Sequence, residues 1–220
     1  WNVDNDTITK GHIPVATAEE TEATVKVMGG EDWMDWIDAL SKADVLADNA
    51  ITLAYSYIGP ELTYPVYFNG TIGMAKKHLY ESSVKINETH KDKNIKAYVS
   101  VNKALVTQAS SAIPVVPLYF AILYKVMKAK NIHEGCIEQM ARLYTEKLFN
   151  GEVLTDETGK IRLDDWELRE DVQKEVMEIW DKVTEENIRQ VADVEGYWED
   201  FYHMFGFKYD NIDYTKDVEI

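Results

Sequence analysis

Hydrophobic and polar positions along the first part of the chain predict two consecutive helices. Thr17 and Glu20 have the spacing of a capping box, which predicts a helix that begins after Thr17. The Gly29-Gly30 pair is expected to end it. A second helix is predicted from Glu31, because acidic residues at a helix start are favourable for the helix dipole. Its apolar residues recur at helical spacing and are interpreted as core residues: Trp33, Trp36, Ile37 and Leu40.

A strand, a loop and a helix follow in the middle of the chain. Ile51–Tyr55 is a short run of β-favouring residues and predicts a buried strand. Gly59-Pro60 interrupts regular structure, and Asn69-Gly70 is typical of a turn. A helix is then expected over Thr71–Asn87 and a second strand over Ile95–Val101. This strand, helix and strand form a βαβ unit, which predicts a parallel sheet.

The remainder of the chain is predicted to be mostly helical. Asn102–Pro117 is a polar, small-residue segment, and Asn150–Leu163 is expected to form a hairpin or loop. Further helices are predicted over Ile113–Lys130, His133–Phe149, Trp166–Val183 and a short stretch from Thr184. The aromatic-dense segment Tyr197–Phe205 is expected to wrap the body of the protein before a polar tail. In the helix from His133, the expected buried positions are Ile137, Met140, Leu143, Tyr144 and Leu148.

Composition excludes several classes of function. The chain has 220 residues, 45% of them hydrophobic, and a formal net charge of −16. That charge argues against nucleic acid and against anionic membrane surfaces as partners. No apolar run is long enough to span a bilayer, so no membrane insertion is expected. A single cysteine leaves no internal disulfide and fits a reducing compartment. The sequence starts at Trp1 without an initiator methionine, which indicates a piece of a longer protein.

The negative charge is unevenly distributed. The segment from Gly70 to Val106 contains seven lysines and three carboxylates, which gives it a local net charge of +4. Such a surface could receive an anionic small molecule, because the local field is set by nearby charges. A solvated helix face explains it equally well.

Tyr67 and Lys76 are the candidate catalytic pair. Nine residues apart, they would lie on opposite faces of one continuous helix. The Asn69-Gly70 turn separates them, so Tyr67 can fold back toward the lysine. A phenol can donate a hydrogen bond to a developing enolate or alkoxide oxygen, and a nearby ammonium favours the phenolate and binds cofactor hydroxyls.

The segments around this pair closely resemble the trans-2-enoyl-CoA reductase and FabV-type enoyl-acyl-carrier-protein reductase family. The resemblance is carried by YSYIGPELTYPVYFNGTIGMAKKHL and VSVNKALVTQASSAIPVVPLY. The family signature is a tyrosine, eight intervening residues and a lysine, which are Tyr67 and Lys76 here. VKVMGGEDW, HEGCIEQM and IRLDDWEL resemble the same family, so the similarity extends from about Ala18 to the C-terminus.

This resemblance implies a fold and a reaction. The fold is α/β, an enlarged Rossmann-like domain of the short-chain dehydrogenase type with added helices. The reaction is reduction of the 2,3-double bond of a trans-2-enoyl-CoA or enoyl-acyl-carrier-protein with NADH, in fatty acid synthesis. The full-length enzyme is expected to be a monomer or weak dimer, in a bacterial cytoplasm or, in a protist, in mitochondria.

The resemblance also implies roles for individual residues. Tyr67 would hold the enolate oxygen, and Lys76 would hold the nicotinamide ribose and tune Tyr67. Tyr57 falls where the family has a second tyrosine near the substrate. The expected cofactor-binding segment, passing the nicotinamide carboxamide and the phosphates, is Val106, Thr107, Gln108, Ala109 and Ser110.

One departure from the family concerns the dinucleotide phosphates. None of the eleven glycines forms a G-x-G-x-x-G motif after a strand. We therefore expect residues 1–220 to be the C-terminal catalytic part of such an enzyme, with the N-terminal phosphate-binding half absent. Alone, this part should bind NADH poorly and expose a sheet edge.

Some other interpretations of the sequence are disfavoured, and two remain open. His133-Glu134-Gly135-Cys136 is more typical of a helix start than of a metal site, and no metal is expected. Asp164-Asp165 is interpreted as a cap for the following helix. Ser110-Ser111 lacks a nearby histidine base and elbow glycines, against a serine hydrolase. A non-catalytic acidic α/β interaction module and a ketoreductase of the same fold remain alternatives.

Overall fold

The computed structural model describes residues 1–217, which form two compact units. The sheet unit comprises His12–Ala104 and Glu134–Arg169; the helical unit comprises Trp1–Gly11, Leu105–His133 and the chain from Glu170 onward. The strands are β1 Ile51–Ser56, β2 Lys96–Val101 and β3 Ile161–Arg162. The α-helices are α1 Ala18–Met28, α2 Glu31–Lys42, α3 Tyr64–Tyr67, α4 Thr71–Thr89, α5 Gln108–Ser111, α6 Val116–Ala129, α7 Cys136–Arg142, α8 Glu170–Trp180, α9 Ile188–Val191 and α10 Val194–His203.

The sheet is parallel, as the βαβ pattern predicts. Its order is β1-β2-β3, with Ile51 paired to Lys96 at one end of β1 and Ser56 to Val101 at the other. The prediction that β1 is buried is wrong: none of its residues is buried. The reason is position, since β1 pairs with one strand only among the described residues.

Helix α4 packs against β2, and α1 and α2 pack against α4. The capping box of α1 is present as predicted, with Glu20 N–H donating to Thr17 Oγ1. Trp33 is partly buried, and its Nε1 donates to Thr52 Oγ1 at 2.9 Å. Trp36 was expected in the core but is 67% exposed. Ile37, the next residue, is buried, and one residue along a helix is a rotation of about 100°.

The side chain of Asn87 takes the place of a strand beside the first residues of β2. Its Oδ1 accepts from the Ala97 N–H at 2.7 Å, and its Nδ2 donates to the Ala97 carbonyl at 3.0 Å. Because β3 pairs with β2 only at Ser100 and Val101, the carboxamide satisfies backbone groups that β3 does not reach.

A π-helix over Leu143–Leu148 changes the packing expected for 133–149. Leu143 and Leu148 are buried with Ile161 and Leu163, as their apolar character predicts. Ile137 and Tyr144 were expected to be buried and are 76% and 43% exposed. The wider π turn shifts the helical phase, so a single 3.6-residue period cannot describe both halves.

Arg142 lies buried at the end of α7, within a set of polar partners. Its guanidinium binds both carboxylate oxygens of Glu134 at 2.8 Å and Asp165 at 2.8 Å. It also donates to the Leu163 carbonyl and lies 4.3 Å from the Trp166 ring centroid. Asp165 accepts from the Trp166 N–H, but 166–169 is not helical, so the predicted helix begins only at Glu170.

The loop at 150–160 leads into β3 and forms no hairpin. Ile161 pairs in parallel with Ser100 of β2, so this segment adds a third strand that was not predicted.

The helical unit is built around α6, most of whose side chains are buried. Helices α8 and α10 pack against it. The Asp193 N–H, before α10, donates to the Ala121 carbonyl at 2.8 Å. Within residues 1–217, no helix has the length and apolar character needed to cross a membrane.

Candidate active site

The loop after β1 brings Tyr57, Tyr67 and Lys76 together within the sheet unit. Tyr57 follows the last residue of β1, and Tyr67 is the last residue of the short helix α3. The chain then turns, with the Phe68 and Asn69 N–H groups both donating to the Tyr64 carbonyl. Helix α4 begins at Thr71 and carries Lys76 in its second turn. Tyr67 therefore folds back toward the lysine, as the Asn69-Gly70 turn predicts.

Lys76 lies over the face of the Tyr67 ring, with Nζ 4.5 Å from the ring centroid. The same Nζ donates a hydrogen bond to the backbone carbonyl of Tyr57. The rings of Tyr57 and Tyr67 meet edge to face, 4.9 Å between centroids at 88°. The Tyr57 hydroxyl donates to Glu167 Oε1 at 2.8 Å. Tyr57 thus contacts each of the other three side chains through a different group.

Burial sets the protonation of the pair. It lowers the pKa of Lys76 to about 7, because a desolvated ammonium is disfavoured. Burial, with a smaller contribution from the charge of Glu167, raises the pKa of Tyr67 to about 12. This differs from the expectation that Lys76 would favour a Tyr67 phenolate. At neutral pH Tyr67 is a neutral phenol with its proton available, and its hydroxyl makes no hydrogen bond to other groups of residues 1–217.

A cavity of about 440 Å³ opens beside this pair. Tyr67 and Lys76 line it together with a largely apolar wall that includes Ile58, Met74, Val99 and Val101. Lys77 also borders it, which places part of the predicted positive region at the cavity, and so does Lys160 from outside that region. An apolar cavity with a few polar groups is typical of a small-molecule site.

The expected cofactor-binding segment belongs to the helical unit, whereas Tyr67 and Lys76 belong to the sheet unit. Val106 is buried, and its N–H donates to the Tyr124 hydroxyl at 3.2 Å. Thr107 and Ser110 form a capping box around α5, so their hydroxyls bind each other's backbone N–H groups. Gln108 and Ala109 are exposed. The cofactor role of this segment stays a prediction.

Sequence reasoning missed Glu167. It lies 100 residues after Tyr67 in the chain, in a run interpreted as part of a helix, and no spacing rule connects the two. The one feature of the sequence that could have drawn attention to Glu167 is its position close to two other acidic residues, Asp164 and Asp165. No cluster of three potential metal ligands occurs among residues 1–217.

Family models match most of the chain. Residues 1–149 match a model described as the trans-2-enoyl-CoA reductase catalytic region. Residues 155–218 match a model described as an enoyl reductase FAD binding domain.

Individual relatives agree with the first of these matches. The chain is 58% identical over 207 residues to an enoyl-[acyl-carrier-protein] reductase [NADH] of Cytophaga hutchinsonii, covering 94% of this chain and 52% of the relative. It is 52% identical over 208 residues to a trans-2-enoyl-CoA reductase [NADH] of Ruminiclostridium cellulolyticum, covering 94% and 53%. The chain spans about half the length of the curated relatives it matches.

A solved structure shares the fold. The crystal structure of Clostridium acetobutulicum trans-2-enoyl-CoA reductase in complex with NAD superimposes with a TM-score of 0.94 at 50% identity, covering 99% of this chain and 57% of that one. The matched family model, the relatives and this fold agree, and the chain belongs to the family of the trans-2-enoyl-CoA reductase catalytic region.

Proposed function

We propose that the full-length protein containing this chain uses NADH to reduce the 2,3-double bond of a trans-2-enoyl thioester, carried by CoA or by an acyl carrier protein. The observation that carries the proposal is the contact of Tyr67 with Lys76 beside the 440 Å³ cavity, in a chain of this family. The names of the relatives support the substrate class and the cofactor.

Tyr67 acts on the thioester oxygen. Bound NADH supplies the hydride that adds to C3 of the enoyl group. Negative charge then develops on the thioester oxygen as an enolate, and C2 afterwards takes up a proton that comes from solvent. The neutral phenol of Tyr67 donates its hydrogen bond to that oxygen, and the apolar cavity wall strengthens the bond by excluding water.

Lys76 binds the cofactor and supports the tyrosine. One of its N–H groups is occupied by the Tyr57 carbonyl. A neutral amine keeps a second N–H, and an ammonium keeps two, for a ribose hydroxyl. The buried amine at the cavity fits the nicotinamide ribose, and Lys76 over the Tyr67 ring fixes the orientation of that ring.

The residues present fit only one end of the dinucleotide. No glycine-rich phosphate motif occurs in the sequence. We propose that the full-length protein has a phosphate-binding part, which corresponds to the part of the relatives that this chain does not cover. Residues 1–220 then form the C-terminal catalytic part. Thr107 and Ser110, held in their capping box, and their neighbours Val106, Gln108 and Ala109 would border the cofactor there.

The test is NADH oxidation by the full-length protein with crotonyl-CoA. Tyr67→Phe should lower kcat by about 10²–10³, the typical loss for one oxyanion donor. Tyr64→Phe is the matched control, because it removes a hydroxyl from the same short helix and should leave kcat unchanged. Equal rates for Tyr67→Phe and the parent would overturn the role of Tyr67.

Two further readings separate the alternatives. Loss of the conjugated enoyl absorbance identifies a double-bond reductase, whereas oxidation of NADH only with a 3-ketoacyl-CoA identifies a ketoreductase. A flavin, named in the description of the second family model, would give visible absorbance that is lost when NADH is added under anaerobic conditions without an enoyl thioester. No turnover with any enoyl thioester would overturn the proposed function.

A further inference from the structure

Glu167 is a fully buried carboxylate, 0% exposed, that binds two different donors with its two oxygens. Oε1 accepts from the Tyr57 hydroxyl at 2.8 Å, and Oε2 accepts from the Ala104 N–H at 2.7 Å. A buried charge is costly unless its hydrogen bonds compensate it. A glutamine could accept only one of these hydrogen bonds, because its amide nitrogen does not accept, and it would contact Tyr57 only if the hydroxyl turned to accept from the amide. A carboxylate accepts both hydrogen bonds at once.

Tyr57 is the residue through which this carboxylate reaches the candidate catalytic pair. Its hydroxyl binds Glu167, its ring edge meets Tyr67, and its carbonyl accepts from Lys76. Each contact uses a different part of one residue: a rotation of the Tyr57 side chain would disturb the hydroxyl and ring contacts, and a shift of its backbone would disturb the carbonyl contact. Fixing the hydroxyl fixes the ring, and fixing the ring fixes the surface against which Tyr67 packs.

We propose that Glu167 is a positioning residue for the reductase reaction, which anchors Tyr57 and through it holds Tyr67 and Lys76 in place. The charge of Glu167 has a second effect, because it adds to burial in keeping Tyr67 protonated. The inference rests on the proposed function for its kinetic test and on the geometry of Tyr57 for its physical basis.

The same carboxylate holds the chain segment that follows β2. The Ala104 N–H donates to Glu167, and the neighbouring Lys103 N–H donates to Gln139 Oε1 at 2.9 Å. Both acceptors are fully buried. Glu167 therefore connects Tyr57, after β1, with the residues immediately after β2.

A double-mutant cycle in the full-length protein tests the proposal. Glu167→Gln is expected to lower kcat about tenfold or more, since small misplacements of catalytic groups have effects of this size. Tyr57→Phe removes the hydroxyl through which Glu167 acts. The double variant should therefore lose no more than about twofold beyond Tyr57→Phe alone, whereas independent effects would multiply. Multiplying effects would overturn the proposal.

The pH profile separates positioning from a purely structural role. Without the charge at 167 the pKa of Tyr67 should fall, so the decline of kcat at high pH should begin at lower pH in Glu167→Gln than in the parent. Glu134→Gln is the matched control, a buried glutamate of the same unit that binds Arg142. It should lower stability without moving this part of the profile. An unmoved profile in Glu167→Gln would count against the proposal.

Two other measurements keep the test decisive. If Glu167→Gln does not fold, Tyr57→Phe alone must lower kcat with an unchanged high-pH decline, and full activity of Tyr57→Phe would refute the proposal. If the parent does not reduce enoyl thioesters, the proposed function fails separately. The titration of the Tyr67 hydroxyl can then be measured as the difference in ultraviolet absorbance between a protein that has Tyr67 and its Tyr67→Phe variant. This titration must still shift to lower pH when Glu167→Gln is introduced.

Discussion

The backbone of Gly73, in the first turn of α4, lies directly against the backbone of Phe68. A Cβ atom at position 73 would overlap the carbonyl group of Phe68 and lie 2.9 Å from its Cα. Because these neighbours are backbone atoms, no side-chain rotation can make room. The close approach sets the distance between α4, which carries Lys76, and the residue that follows Tyr67.

Gly73→Ala should therefore damage the site through geometry alone. The added methyl group is expected to push Phe68 and Tyr67 away from α4 and to lower kcat by about 10²-fold, as for other misplacements of about an ångström. Gly11→Ala is the control, since nothing lies within 4 Å of a Cβ there. Steady-state kinetics and the unfolding midpoint of both variants check this, and wild-type kinetics in Gly73→Ala would contradict it.

Lys76 should make stability depend on pH in a defined window. Its pKa is lowered from 10.5 to about 7 in the folded state, so between these values the unfolded chain binds the additional proton. Stability therefore rises with pH across the window, and the penalty for the buried charge is fully present below about pH 7. In Lys76→Met this contribution disappears.

The measurement is urea unfolding of the parent and Lys76→Met at several pH values from 6 to 10, roughly the range of that window. The stability of the parent relative to the variant should increase with pH. Lys77→Met, at an exposed neighbour, is the control for the loss of a lysine side chain from the same helix. A pH-independent difference for Lys76→Met would mean that the buried amine titrates normally.

Asn87→Asp should weaken the attachment of α4 to β2. The isosteric carboxylate can still accept from the Ala97 N–H but cannot donate to its carbonyl. The buried carbonyl loses its partner and faces a negative charge, which should cost about 1–3 kcal/mol of unfolding free energy. Chemical denaturation measures it, with Asn94→Asp as an exposed control; equal stabilities would contradict the bridging role.

Arg142→Met should be strongly destabilising. It leaves the buried Glu134 carboxylate without its cation, and breaking a buried ion pair from one side costs about 3–5 kcal/mol. The control is Arg189, which pairs with Asp6 and whose side chain is 63% exposed. Arg189→Met should lower the free energy of unfolding by about 1 kcal/mol or less. Similar denaturation midpoints for the two variants would show that burial of Arg142 contributes little.

Local patterns predicted those elements whose ends have their own chemistry. The capping box at Thr17 and Glu20 places the start of α1 correctly, and the Asn69-Gly70 turn anticipates both the start of α4 and the return of Tyr67 toward Lys76. These features depend on residues close in sequence, so a short window contains the physics that determines them.

Features determined by distant contacts were not predictable. Arg142, at the end of α7, is buried with Glu134 and Asp165, and Tyr144, within the π-helix at Leu143–Leu148, is exposed. Distant partners and the core around Ile161, rather than local periodicity, determine these positions. The hydrogen bond of Glu167 likewise joins it to Tyr57, 110 residues earlier in the chain. The raised pKa of Tyr67 follows from burial, which a spacing rule does not contain.

The division of the chain into two units has a consequence for how the protein can be made and dissected. The polypeptide leaves one unit for the other after Gly11, Ala104, His133 and Arg169. A ribosome must therefore synthesise past Arg169 before the sheet unit has all its segments, including Glu167. No single stretch of gene encodes either unit, so cloning one alone requires splicing separated segments. A protease cut after Ala104 or His133 would leave both units composed of parts from each fragment, whereas a cut after Gly11 or Arg169 would divide only the helical unit.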